Sequence, residues 1–134
     1  MTTVLFACVH NAGRSQMAAT LFNLLADPAQ ARAVSAGTAP GDRVHPEVAT
    51  AMAELGVDLS AVRPRLLTDD LARSAQVLVT MGCGEDCPIV PGVHRMDWPF
   101  PDPKGRPLET VRAIRDDIRS RVLALVTENG WQRH

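Results

Sequence analysis

Two apolar runs, Val4-Leu5-Phe6-Ala7 and Ala75-Gln76-Val77-Leu78-Val79-Thr80-Met81, limit most severely what this chain can fold into. Neither alternates with polar residues as a half-exposed strand would, so each reads as a strand covered on both faces. Between and beyond them the spacing becomes helical. Ser15 to about Asp27 places Met17, Leu21, Leu24 and Leu25 on one helix face, and Asp27-Pro28 ends it. Ala31 to Ala36 predicts a second strand closed by Gly37. His45-Pro46 opens a helix with Val48, Met52 and Leu55 inward and Gly56 as its C-cap. Thr68 is placed to cap a short helix reaching Arg73. Val93 to Asp97 predicts a fourth strand. Leu108 to Thr127 predicts a final helix with Leu108, Val111, Ile114, Ile118, Val122 and Leu125 as its core stripe. Arg112/Asp116 and Asp117/Arg121 are expected to pair on its outer face.

Strands alternating with helices predict an α/β three-layer sandwich around a four-stranded parallel sheet. Right-handed crossovers favour the strand order 2-1-3-4, with ligands binding where the order reverses. Cys8 follows the first strand, Cys83 and Cys87 the third, and Asp102 the fourth, so all four are expected on one edge of the sheet.

A chain of 134 residues with 46% hydrophobic content is expected to form one domain over residues 1–134. A net charge of −1 with dispersed basic residues argues against a nucleic-acid footprint. No apolar run approaches the ~18 residues of a membrane span, and the start lacks a basic signal region. A cytoplasmic monomer is expected. The cysteine count of 3 points to thiol chemistry more than to structural bridges.

Cys8-Val9-His10-Asn11-Ala12-Gly13-Arg14-Ser15 joins the first strand to the first helix. Such a loop aims its amides inward, and the helix dipole adds roughly half a positive charge there. Ala12 and Gly13 let the backbone curl, with Gly13 free to take positive φ. The amides of Val9 through Ser15 thus predict an oxyanion cradle, to which Arg14 adds a planar charged fork. The Gly-Lys-Ser/Thr ending of a nucleotide loop is missing. A free thiol with a pKa near ~8.5 is only slightly ionised at neutral pH, and the same amides, Arg14 and Ser15 would favour the thiolate of Cys8. Asn11 suits a left-handed turn position and is expected to brace the loop.

The Cys8-x5-Arg14-Ser15 pattern, with Asp102-Pro103 late in the chain, resembles the low-molecular-weight tyrosine phosphatases. The Cys-Val-His-Asn-Ala-Gly-Arg-Ser loop, Ser35-Ala36-Gly37-Thr38, and Val79-Thr80-Met81 entering a cysteine loop resemble the thiol-coupled arsenate reductases within that superfamily. The resemblance implies that Cys8 attacks arsenic, that Arg14 and the loop amides hold the oxyanion, and that Ser15 supports the thiolate. It implies Asp102 as the general acid for the departing oxygen. Ala19 stands where some relatives carry an acidic ligand for a monovalent cation, so no metal site is carried over.

Reducing arsenate takes two electrons. After a Cys8–arsenate adduct forms, a second thiolate would attack the Cys8 sulfur and release arsenite, leaving a disulfide that a third thiol can carry away. Cys83 and Cys87 are the expected second and third thiols. Extended, they would lie ~13 Å apart; in a turn they reach the ~4.4–6.8 Å Cα range of a disulfide. Gly82 and Gly84 are expected to let this loop change shape with redox state. The implied partners are arsenate, with phosphate or sulfate in the same site, and an external thiol reductant. That reductant is thioredoxin, or else mycothiol with mycoredoxin; no cofactor is expected to be bound.

Two rivals remain open at this stage. A phosphotyrosine phosphatase would need aromatic walls, for which Trp98 and Phe100 are the candidates. A soft-metal-binding thiol module could draw on Cys8, Cys83, Cys87, His10 and His94.

Overall fold

The computed structural model describes residues 1–83 and 87–133. Its elements in chain order are β1 (Thr2–Cys8), α1 (Arg14–Leu25), β2 (Ala31–Gly37), α2 (Pro46–Ala53), α3 (Asp69–Ser74), β3 (Val77–Thr80), β4 (His94–Asp97) and α4 (Leu108–Glu128). The strands form one parallel sheet in the order β2-β1-β3-β4, as expected.

Strand alternation divides the core. Val4, Phe6 and Cys8 of β1 face a cluster with Met17, Phe22, Met52, Ile118 and Val122, which α1, α2 and α4 supply. Leu5 and Ala7 face the other way, against Ala72 of α3, Leu78, Cys83 and Cys87. β1 therefore has Val4 through Ala7 fully buried, the condition that its unbroken apolar run implied.

Several local signals act as expected. Thr68 accepts a hydrogen bond from the Leu71 N–H at 3.1 Å and caps α3. Pro46 occupies the first turn of α2, and Gly56 takes a φ of 81° after it. Others are corrected. Leu24, on the last turn of α1, and Leu55, two residues past the end of α2, were expected inward but are 46% and 39% exposed. Arg112 does not pair along α4 with Asp116; it reaches Glu54, just past α2, at 2.5 Å. Arg115 joins the same carboxylate at 2.8 Å. Arg121 lies over the Trp98 ring at 5.4 Å from its centroid, where a cation–π contact wins over the expected pairing with Asp117.

The parallel register brings the carboxyl ends of the strands together. Cys8 pairs with Gly37 across β1 and β2, and Thr80 with Asp97 across β3 and β4. Met81 N–H donates to the Ala7 carbonyl at 2.7 Å, and Trp98 N–H to that of Thr80 at 2.8 Å. The three loops that leave β1, β3 and β4 start side by side.

Candidate active site

Cys8 ends β1, 2% exposed, and α1 begins six residues later at Arg14. The backbone between them is turned inside out. The Cys8, Val9, His10 and Ala12 carbonyls accept from the N–H groups of Thr38, Ala39, Gly41 and His45 at 3.1, 2.8, 2.9 and 2.9 Å. The Asn11 carbonyl accepts from Gln16 Nε2 at 3.1 Å, and that of Gly13 from Met17 N–H at 3.0 Å. With every carbonyl from Cys8 to Gly13 engaged outward, the loop's amides are left for the concave side. That is the arrangement of an anion nest at a helix N-terminus. In the segment 38–45, which supports this loop, the sequence reading marked only the two ends, Thr38 after Gly37 and His45 at the start of α2, and neither as a support of the loop. Gly37 needs to be glycine, because a Cβ there would sit 2.5 Å from the Val9 oxygen and 2.9 Å from the Asn11 nitrogen.

The left-handed residue of the loop is Asn11, at φ 51°; Gly13 has a φ of −143° instead of the positive value expected for it. Gly13 is required for space: a Cβ there would meet Pro103 Cγ at 2.7 Å. Pro103, buried, thus closes one wall of the loop.

Two polar groups converge on the Cys8 sulfur. Ser15 Oγ lies 2.8 Å from Sγ, and the Asn11 N–H points at it from 3.3 Å. Asn11 Nδ2 donates to Ser15 Oγ at 2.7 Å. Arg14, 8% exposed, turns back from the start of α1, with Nη1 donating to the Phe100 carbonyl at 3.1 Å and Nη2 lying 3.9 Å from Asp102 Oδ2. Gly82, at φ 105°, makes room for it: a Cβ there would collide with Arg14 Nη1. Asp102 is half-exposed at the rim, its other oxygen accepting from Lys104 N–H at 3.0 Å. His45 and His10 complete the same side. Burial holds the His45 imidazole below its ordinary value of 6.5; Asp102 opposes that shift, while His10 and Lys104 reinforce it.

Cys83 and Cys87 form a disulfide with a Cα separation of 5.5 Å, leaving Cys8 as the free thiol. Both are buried, at 5% and 3% exposure. Cys83 Sγ sits 3.8 Å from the Ala7 carbonyl oxygen, beside the last peptide of β1. Gly84, expected to confer freedom on this loop, lies outside the described residues. The far end of the loop is tied down: Arg95 Nη1 donates to the Pro88 carbonyl at 3.3 Å, and Arg95 Nε to Asp97 Oδ1 at 3.2 Å. Thr80 Oγ1 donates to the same Asp97 oxygen.

Trp98 is not a wall of the site. It is 1% exposed and packs on Phe6, with ring centroids 5.7 Å apart. Phe100 is partly buried against the core and offers Arg14 its carbonyl. Among the described residues, no three His, Cys, Asp or Glu side chains come together as a metal-holding group. No helix among the described residues is long and apolar enough to cross a membrane.

Residues 3–132 match the model of the family described as low molecular weight phosphotyrosine protein phosphatase. A Halobacterium salinarum protein, provisionally assigned as an arsenate reductase, is 40% identical over 129 residues, covering 92% of this chain and 89% of its own. Arsenate reductase 2 of Staphylococcus epidermidis is 32% identical over 129 residues, with 93% and 96% covered. Among solved structures, a thioredoxin-dependent arsenate reductase of Corynebacterium glutamicum is 38% identical with a TM-score of 0.83. The match covers 96% of this chain but spans only 61% of that one. With the sheet order, the cysteine-to-arginine loop and these similarities in agreement, the chain belongs to the low-molecular-weight phosphotyrosine protein phosphatase family, on the side of it where its arsenate-reducing relatives lie.

Proposed function

We propose that this protein reduces arsenate to arsenite. The observation that carries the reading is a free, buried Cys8 in an oxyanion loop, next to a closed Cys83–Cys87 pair on the adjoining loop. A phosphomonoesterase has no use for that pair, since water resolves its phosphocysteine. A two-electron reduction can draw its resolving thiols from it.

Arsenate enters the nest with its oxygens on the amides of Val9 to Ser15 and on Arg14. The Cys8 thiolate displaces one arsenic-bound oxygen, which leaves as water with a proton from Asp102. Cys83 then attacks the Cys8 sulfur. The electron pair of the S–As bond leaves with arsenic, so As(V) becomes As(III), and arsenite departs. Cys87 takes over the new Cys8–Cys83 bond, which frees Cys8 and leaves the Cys83–Cys87 disulfide. An external dithiol such as thioredoxin reduces that disulfide; mycothiol with mycoredoxin is the other source of electrons. The work is that of a cytoplasmic monomer without a bound cofactor.

Phosphate and sulfate fit the same cradle, and weak turnover of aryl phosphates is expected. The burial of Trp98 and the absence of tyrosine leave little aromatic wall to hold a phenyl ring, so this remains a side reaction. Reduced protein mixed with arsenate, thiol-trapped and mapped by mass spectrometry, should yield the Cys83–Cys87 disulfide. Cys83→Ser should stop at the Cys8–arsenate stage, and Cys87→Ser should accumulate Cys8–Cys83. Both variants turning over at the wild-type rate with a small thiol and redoxin would sink the internal relay. A turnover dominated by aryl phosphate would sink the reductase reading altogether.

A further inference from the structure

The hydrogen bonds behind the nucleophile form a chain whose direction matters. A serine hydroxyl beside a cysteine can either donate its proton to sulfur, favouring thiolate, or accept one from it, favouring thiol. Which of these Ser15 does depends on the orientation of the Asn11 amide.

Asn11 is fully buried, and its Oδ1 is 3.0 Å from the backbone nitrogen of Arg65. A backbone N–H can only donate, so this end of the amide is oxygen. Gln16, 5% exposed on the first turn of α1, places Nε2 3.1 Å from that same oxygen and 3.1 Å from the Asn11 carbonyl. Both neighbours are acceptors, so the two N–H groups of Gln16 are divided between them. Asn11 Nδ2 must then face Ser15 Oγ and donate to it. With an acceptor site of Ser15 so occupied, its single proton is directed to the Cys8 sulfur at 2.8 Å.

The Arg65 backbone is itself anchored. Its carbonyl accepts from Gly37 N–H at 2.9 Å, and its side-chain Nε donates to the Ser35 carbonyl at 3.1 Å. We propose that Gln16, with the Arg65 N–H, is a positioning residue that sets the polarity of the Asn11–Ser15–Cys8 chain and so holds Cys8 ready as an anion. Without Gln16 the Asn11 amide loses one of the two donors that oppose its rotation. Rotated, it would accept the Ser15 proton, and Ser15 would then accept from the Cys8 S–H. The inference rests on Cys8 being the nucleophile, not on arsenate being the substrate.

The test uses the full chain carrying Cys83→Ser and Cys87→Ser, so that Cys8 is its one cysteine. Alkylation by iodoacetamide, a neutral reagent, is timed at pH 7 in Gln16→Met, in Ser15→Ala and in the combination. Gln16→Met should slow alkylation about tenfold, the scale of one hydrogen bond to a charged group. In the Ser15→Ala background, where the chain is already cut, the same substitution should change the rate less than twofold. Inorganic phosphate should bind Gln16→Met within threefold of the parent, because the nest amides and Arg14 are untouched. Gln16→Glu, which faces two acceptors with a carboxylate, should be slower than Gln16→Met; should it fail to fold, Gln16→Met alone decides. Equal slowing with and without Ser15, no slowing at all, or phosphate binding lost in step with alkylation would each overturn the proposal. In the protein with all three cysteines, kcat for arsenate should fall with KM held. If arsenate is not turned over, that loss belongs to the proposed function, and the alkylation rates still decide the role of Gln16.

Discussion

At the scale of single residues, the site is governed by what glycine leaves open. Gly82 has a backbone conformation that side chains rarely adopt, and the space above it is filled by the Arg14 guanidinium. The cation that would grip an oxyanion is thus held by the Phe100 carbonyl in front and by a missing methyl behind. Gly82→Ala should push Arg14 out of place, weakening phosphate binding at least tenfold by calorimetry. The strained φ should cost about 1–3 kcal/mol in denaturant unfolding. Binding within twofold of wild type would mean that Arg14 is not held as described. In the sequence Gly82 was readable only as a source of freedom for the cysteine loop. Its second duty needed the three-dimensional approach of a residue 68 positions earlier.

At the scale of elements, two ties between neighbours were invisible in the periodicity. Arg95 of β4 holds the Pro88 carbonyl, one residue past Cys87, while Asp97 orients the guanidinium. The disulfide is buried, so a reductant reaches it only when its surroundings give way. Arg95→Ala removes the tie, and dithiothreitol should reduce the Cys83–Cys87 bond several-fold faster, as followed by quenched thiol labelling. An unchanged rate would place the controlling contact elsewhere. The second tie is Glu54, which receives Arg112 and Arg115 from α4. Hydrogen bonds from these two arginines hold its carboxyl below the ordinary value of 4.5. A folded pKa below the unfolded one means a contribution that is complete above about pH 4.5 and disappears as pH falls through the folded value. In urea melts, Glu54→Gln should be less stable than wild type at pH 7, with the gap closing below pH 4.5. A constant gap from pH 7 to pH 3 would contradict the pairing. Helix spacing predicted Arg112 with Asp116, four residues along. A carboxylate already fixed at the end of α2 wins because it meets two guanidinium groups at once.

For the whole molecule, the anion nest should register as stability. A ligand that binds only the folded chain stabilises it by RT ln(1 + [L]/Kd), about 2.7 kcal/mol at a hundredfold excess over Kd. Phosphate should therefore raise the Tm of the wild-type protein in a concentration-dependent way and leave that of Arg14→Ala nearly unmoved. Equal shifts in both would mean that the anion binds elsewhere.

Much of this was legible in the chain itself. The strands, helices and sheet order could be read because buried parallel strands must be continuously apolar, and because few crossovers connect them. The nucleophile and the arginine could be read because their spacing is local: a strand, a curled loop and a helix start fit within Cys8 to Ser15. The tertiary structure decided what supports that loop. The carbonyls of Cys8 to Ala12 are held from outside mainly by residues 38–45, the Asn11 amide is oriented by Arg65 and Gln16, and Arg14 is seated against Gly82 and Phe100. Most of these contacts join residues far apart in sequence. A hydrogen bond between a backbone amide and a distant side chain leaves no periodicity and calls for no particular residue type at the amide end, so only the folded chain could reveal it.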